Sequence, residues 1–390
     1  MAVDGASSVV LPLADGSLET YQVSAPRDWP RPHQPFVSRT AYAAAHVVAD
    51  PLADNAPGAP ARLDWDATLA FRRHLWSYGL GVADAMDTAQ RGQGLTWDTA
   101  AELIRRSARE AAAHGGALAC GAGTDQLPWP AGEEIGLDTV IAAYEEQLAV
   151  VEDAGARPIL MASRHLAAAA RGVDDYAKVY ARLLGQTSQP AILHWLGPMF
   201  DPVLEGYWGA ADVDTATDAF LAIVREHAAR IDGVKVSLLD EDHEVRLRSA
   251  LPSGVRLYTG DDFNYPALIR SGSDALLGIF DAIAPAAATA LAALDRGDAQ
   301  AYDDAFGATV PLSRHLFSAP TYYYKTGICF LAWLSGHQSG FTMVGGMQSV
   351  RSVPHLAQAF RLADRAGLLP DPDLACARMR EFLKVHGVRT

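Results

Sequence analysis

A chain of 390 residues that is 49% hydrophobic and 20% charged can build a large core, which excludes global disorder. A formal charge of −14 argues against nucleic acid and against an anionic membrane surface as partners. Three widely spaced cysteines, Cys120, Cys329 and Cys376, with no CxxC, suggest neither a disulfide framework nor a zinc ribbon and fit a reducing cytoplasm.

In chain order, residues 1–5 lack the basic segment and apolar run of a signal peptide. Residues 8–23 read as a small hairpin around Asp15-Gly16, and the four prolines of residues 25–36 as a linker. From residue 38 short apolar strands alternate with amphipathic helices. Strands are expected over 42–49, 82–86, 116–120, 158–161, 191–195, 233–239, 255–259 and 275–280. Helices are expected over 65–78 behind a cap at Asp64, then over 96–113, 137–154, 174–184, 214–231, 241–250, 265–271 and 284–295. Gly121-Ala122-Gly123 reads as a tight loop. The most apolar run, residues 282–294, is too short to span a membrane.

Eight strand–helix units in sequence imply an α/β fold, a parallel sheet closed into a (β/α)8 TIM barrel. Further helices follow near 299–318, 322–336, 350–366 and 371–386, with a glycine-containing break at 340–346. The expected division is an N-terminal hairpin and linker over 1–36, a barrel over 37–297 and a C-terminal helical region over 298–390.

Chemistry on such a barrel collects where strands end. The chain has only four lysines, Lys178, Lys235, Lys325 and Lys384, and Lys235 alone interrupts a strand pattern. Desolvation there lowers the pKa of an amine and frees it as a nucleophile for a carbonyl. Its bland role is a strand-end ion pair with Asp240 or Glu241. The other strand ends offer Asp84, Asp87 and Thr88, then Thr124 and Asp125, then Ser163, Arg164 and His165. Further on come His194 and Trp195, Ser237, and Gly260-Asp261-Asp262. Arg164 suits an acidic group or an ordinary ion pair. His194 suits proton transfer or a satisfied core position. One of Asp261 and Asp262 suits a turn whose carboxylate accepts backbone N–H groups. A metal alternative uses Asp84, Asp87, His194 and Asp261 as ligands to a divalent ion, one per strand, without any HxH or HExxH spacing.

Gly233-Val234-Lys235 on the sixth strand, Gly260-Asp261-Asp262 after the seventh, and residues 273–278 followed by Ala284-Pro285 make a distinctive order. Over about residues 40–335 it resembles the dihydrodipicolinate synthase and N-acetylneuraminate lyase family of class I aldolases, as a divergent branch. The resemblance implies a Schiff-base lysine at Lys235, no cofactor, and assembly as a homodimer or homotetramer. The chain departs from the family pattern after the second strand, where only Thr88 stands for a threonine pair. It departs again at Ser163-Arg164-His165, where the family carries a tyrosine, and at His194-Trp195.

The expected function is a cytoplasmic class I aldolase or lyase acting on a polar oxo acid or sugar-derived oxo compound. Lys235 is the expected nucleophile, with His194 and then Asp87 moving protons. Thr88, Arg164, Ser237, Gly260, Asp261 and Asp262 are expected around the substrate. The alternatives are a divalent-metal-dependent barrel isomerase, epimerase or aldolase, and a non-catalytic sugar-acid binding protein.

Overall fold

The computed structural model describes residues 7–130 and 135–388, so the reading of residues 1–5 lies outside the described residues. The chain divides into two compact units whose segments interleave along the sequence.

One unit is residues 39–45 and 80–278. It contains a closed barrel of parallel strands in sequence order: β3 (Ala41–Ala44), β4 (Gly81–Asp84), β5 (Leu118–Ala122), β6 (Arg157–Leu160), β7 (Ala191–Leu196), β8 (Ile231–Ser237), β9 (Arg256–Thr259) and β10 (Asp274–Leu277). The barrel closes by pairing β10 with β3. The helices of this unit are α2 (Trp97–His114), α3 (Leu137–Asp153), α4 (Arg164–Ala169), α5 (Val173–Leu184), α6 (Val213–Glu226), α7 (Glu241–Ala250) and α8 (Tyr265–Ser271).

The other unit is residues 1–38, 46–79 and 279–390. It holds the hairpin of β1 (Ser8–Pro12) and β2 (Leu18–Gln22), paired in antiparallel register from Ser8 against Gln22 to Pro12 against Leu18. It also holds α1 (Trp65–Ser77), α9 (Ile279–Asp295), α10 (Ala299–Gly307), α11 (Val310–Leu316), α12 (Tyr324–Leu334), α13 (Val353–Arg365) and α14 (Pro372–Val385). Asp64 caps α1 by accepting from the Ala67 N–H, as its side-chain type predicts. The hairpin is tied to α13: the Tyr21 hydroxyl donates to Asp364 at 2.7 Å, and Arg361 pairs with Glu19 at 2.8 Å.

The barrel interior explains a glycine that sequence alone presents only as context for the lysine. Side chains alternate between the two faces of a strand. In β8 that places positions 233, 235 and 237 on one face. Tyr42, Ala44, Ala83, Ala119, Ile159, Ile192, Tyr258 and Leu276 pack together as the barrel core. The rings of Tyr42 and Tyr258 meet edge to face with centroids 6.0 Å apart. A Cβ on Gly233 would lie 2.6 Å from the Tyr258 ring, so glycine there is what lets the tyrosine fill the barrel beneath Lys235. Below, Tyr258 donates to Asp232 at 2.6 Å, and Asp232 also pairs with Arg157 and Arg256. This ion cluster satisfies the phenol of a tyrosine buried within a hydrophobic layer.

Several strand expectations shift, among them the lysine strand, which runs Ile231–Ser237 rather than 233–239. The third barrel strand, β5, starts two residues later than expected and absorbs Gly121 and Ala122, which were expected in a loop. The first barrel strand is shorter than residues 42–49, ending at Ala44. The last also starts and ends earlier, at Asp274 and Leu277, because α9 already begins at Ile279. The expected helix over 299–318 is two helices, and the short α4 directly after β6 was not foreseen.

Candidate active site

Lys235 sits in β8 and is 5% exposed. Burial lowers its pKa from the ordinary lysine value, and the carboxylates of Asp87 and Asp262 oppose that shift. His194 in β7 is the register partner of Lys235 in β8 and is 1% exposed. Burial holds its pKa well below the ordinary histidine value, helped by Lys235 and opposed by Asp87. Two nitrogen bases that would repel each other if both charged therefore lie side by side in a region that disfavours either charge. His194 Nε2 lies 3.4 Å from the Ser237 hydroxyl, at the edge of hydrogen-bonding distance. Lys235, His194, Ser237, Asp87 and Asp262 are thus brought together, although they come from four different strands or the turns after them, β4, β7, β8 and β9.

Gly260 closes over this group. A Cβ there would lie 2.7 Å from the Val236 carbonyl oxygen and 3.0 Å from Lys235 Cε, and would overlap the Ser237 hydroxyl. Only a residue without a side chain leaves the lysine its position. The two aspartates that follow separate in role. Asp261 accepts from the N–H groups of Phe263 and Asn264 at 2.8 and 2.9 Å and from the Asn264 amide at 3.0 Å. It is the turn carboxylate, while Asp262 is the one whose charge reaches Lys235.

The same separation occurs after β4. Ala83 belongs to the barrel core, so Asp84 points to the opposite face. It accepts from the Ser107 hydroxyl at 2.6 Å and from the Ala85 N–H at 2.8 Å. Asp87 and Thr88 lie on the next turn, the 3-10 segment Asp87–Ala89, with Thr88 1% exposed. That turn is flanked by two left-handed non-glycine residues, Ala85 at φ 51° and Gln90 at φ 65°. Arg91 clamps it. Its guanidinium donates to the Ala85 carbonyl at 3.1 Å, to the Gly121 carbonyl at 3.3 Å and to Gln147 at 2.7 Å, and pairs with Asp125. An over-determined buried arginine of this kind can hold a strained turn in place. No pattern in the sequence set Arg91 apart from the other arginines.

Arg164, at the start of α4, is a third exposed and pairs with Asp201 at 2.6 Å. Trp195 faces away from the barrel core, packing against Trp208, Phe220 and His243. His165 joins Thr124 at 2.9 Å through Nδ1, and Thr124 in turn meets Ser163 at 2.6 Å. Because a carbonyl can only accept, His165 Nε2 donates to that of Pro128 at 3.1 Å.

Tyrosine is missing from the sequence after β6, but phenols arrive there from elsewhere. Tyr144 of α3 donates to the Met161 carbonyl at 2.5 Å. Tyr207, from the loop after β7, accepts from the Ser163 N–H at 3.2 Å and meets the Tyr180 hydroxyl at 3.1 Å. Burial raises the pKa of all three, so they are protonated phenols. These contacts span 17 to 44 residues and leave no local signature.

The donor set of the metal alternative is dispersed. Asp84 is engaged with Ser107 and Asp261 with its own turn. Among the described residues no group of three or more His, Cys, Asp or Glu side chains is arranged to hold a metal ion.

Solved structures with similar folds include dihydrodipicolinate synthases and their relatives. One is the 4-hydroxy-tetrahydrodipicolinate synthase of Methylacidiphilum fumariolicum SolV, at 14% identity and TM-score 0.62, covering 90% of this chain and 99% of that one. Another is YagE of E. coli K12, a prophage protein of the dihydrodipicolinic acid synthase family solved with pyruvate. It shows 13% identity and TM-score 0.64, with 85% of this chain and 99% of that one covered. A third is the dihydrodipicolinate synthase of Oceanobacillus iheyensis, at 14% identity and TM-score 0.61, covering 89% and 97%. At these identities the likeness establishes the (β/α)8 barrel fold alone. A comparison with curated proteins found no match. A family model matches residues 9–388, nearly the whole chain, and by that match the chain belongs to the family described as Protein of unknown function (DUF993).

Proposed function

We propose that the chain is a class I aldolase or lyase acting on a polar oxo acid or a sugar-derived oxo compound through a Schiff base on Lys235. The observation that carries this reading is a buried amine, shifted toward its neutral form, register-paired with an imidazole that burial also keeps neutral. A neutral amine is the form that attacks a carbonyl.

Lys235 Nζ adds to the carbonyl carbon, and the carbonyl oxygen departs as water when the iminium forms. A base then takes the proton from a hydroxyl on the carbon beta to the former carbonyl. The C–C bond breaks, its electron pair enters the iminium, and an enamine results. Protonation at the enamine carbon restores the iminium, and water releases product and free amine. In reverse the same steps form the bond.

His194 is the group proposed to move the proton, because it adjoins Lys235 and is uncharged, so it can accept one. Asp87 is the second candidate; its carboxylate and that of Asp262 also offset the charge of the iminium. Ser237 and Thr88 would hydrogen-bond the substrate. Arg164 would hold its acidic or hydroxylated end, sharing its guanidinium with Asp201. The turn bonds of Asp261 leave it a supporting role. The divalent-metal alternative is the weaker proposal, since two of its four carboxylate and imidazole ligands are engaged elsewhere. Among the described residues no helix is long and apolar enough to cross a membrane. A cytoplasmic setting and a homodimer or homotetramer belong to this proposal and rest on the resemblance.

Borohydride reduction in the presence of a carbonyl substrate tests the proposal, because it turns an iminium on Lys235 into a permanent secondary amine.

A further inference from the structure

The unit built from residues 1–38, 46–79 and 279–390 has a cavity of its own, about 390 Å³ in volume. That lies within the usual span of small-molecule sites, roughly 300–1,000 Å³. Its walls are flat rings. Phe71 lies 5.5 Å from the His74 ring and 5.1 Å from that of His337, and the two imidazoles, tilted 56° to each other, have centroids 4.3 Å apart. Burial pushes His74 down to about 3 and His337 to about 4, so both rings are uncharged at neutral pH. Trp29 completes the aromatic lining.

Asp281, in the first turn of α9, also lines the cavity. Its side chain is fully buried. Oδ2 accepts from both the backbone N–H and Nδ1 of His46 at 2.8 Å. Oδ1 is buried as well, and no described residue donates to it. Leaving a buried carboxylate oxygen without a donor costs more than the bond it lacks would contribute. Asp281 cannot easily turn to find one. His46 Nε2 faces Gln338 Oε1 at 3.2 Å, and the Gln338 amide is itself fixed on the Gly340 carbonyl at 2.8 Å.

Two exposed arginines lie on the same lining. The Arg27 guanidinium stacks 4.0 Å above Trp29, and that of Arg31 lies 5.6 Å from the Tyr78 ring. With Asp28 and Asp281 the lining carries charge of both signs. A ligand suited to it needs an anion, a flat apolar body and a hydrogen-bond donor.

We propose that this cavity binds a small planar aromatic acid with an N–H or O–H donor at the end opposite its carboxylate. The donor satisfies Asp281 Oδ1, the ring lies against Phe71, Trp29 and the two imidazoles, and the carboxylate meets Arg27 and Arg31. Planar bidentate recognition of a carboxylate is what guanidinium groups do best.

Calorimetric titration of the full chain tests this with three probes: 4-aminobenzoate, benzoate, which lacks the donor, and aniline, which lacks the anion. The expected result is saturable binding of 4-aminobenzoate at one site per chain. Benzoate should bind about tenfold more weakly, the loss of a charge-assisted hydrogen bond. Arg31→Gln, a surface change that spares the fold, should weaken 4-aminobenzoate about threefold, as removal of an exposed ion pair does, and leave aniline unchanged. Lys235→Ala should bind all three as the wild type does. No saturable binding by 4-aminobenzoate, equal affinity for benzoate, indifference to Arg31→Gln, or loss of binding in Lys235→Ala would each overturn the proposal.

Discussion

Lys235 and His194 are register partners on adjacent parallel strands, β8 and β7, and Lys235 lowers the tendency of His194 to carry a proton. The pairing follows from strand alternation. Ile192 and Gly233 are partners one layer below, so the next residues on the same face are His194 and Lys235. A one-residue slip of either strand would put one of the two bases on the far side of the sheet.

The burial of Lys235 has a consequence for stability. Its folded pKa lies below the unfolded value, so the native state binds fewer protons than the unfolded chain as pH falls below about 10.5. Any stability that depends on the neutral amine is present above that pH and is lost as pH falls toward the folded pKa. Lys235→Met removes the titrating group. Urea melts at pH 7 and pH 9.5 should show the wild type gaining on the variant at the higher pH. A constant difference between the two would contradict the buried neutral amine.

His194→Asn should lower kcat by about 10²–10⁴-fold, the usual worth of a positioned acid–base group. Adduct formation on Lys235 should survive, so trapping separates binding of the carbonyl from proton transfer. Because the imidazole pKa is depressed, His194 stays deprotonated below the ordinary histidine value near 6.5. The wild-type kcat should therefore show no loss centred on that pH. A variant with unchanged kcat would remove His194 from the mechanism.

Gly260→Ala is a one-carbon test of the site's geometry. The added methyl would meet the Val236 carbonyl and Lys235 Cε at 2.7 and 3.0 Å. Overpacking of this kind costs about 1–3 kcal/mol. The expected result is a folded protein with a lower melting temperature and little or no adduct on Lys235. Unchanged trapping would mean that the lysine does not depend on that gap.

Glu244 of α7 gives an independent pH effect. It is buried, accepting from Thr259 and Ser273 at 2.9 Å each, and burial raises its pKa to about 8. The native state then holds a proton that the unfolded chain releases near pH 4.5. The stability linked to that proton is fully present below pH 4.5 and is lost as pH rises through about 8. Glu244→Gln should flatten the fall in stability across that window in denaturant titrations. A variant with the wild-type slope would show that Glu244 is ionised in the fold.

What could be read from the sequence follows how local each signal is. The hairpin at Asp15-Gly16, the Asp64 cap and the lone lysine in an apolar strand are each set by a few adjacent residues, and the structure has all three. The third barrel strand was misplaced because Gly121 resembles a loop residue. It lies in β5, where a side chain would meet the Ala85 carbonyl at 2.6 Å and Met161 Sδ at 2.7 Å. Asp84 and Asp87 look equivalent in the sequence. Only the strand register shows that Asp84 turns to Ser107. Arg91 and the phenols of Tyr144, Tyr180 and Tyr207 were invisible for a related reason, since their partners are distant in the chain.

The most direct measurement is mass mapping after borohydride reduction of the purified protein with a panel of 2-oxo acids and oxo-sugars. A stable adduct should form on Lys235 with at least one of them, and none in Lys235→Ala, which should remain folded but inactive. Turnover of a carbonyl compound with no adduct on Lys235, or full activity in Lys235→Ala, would contradict a Schiff base on Lys235.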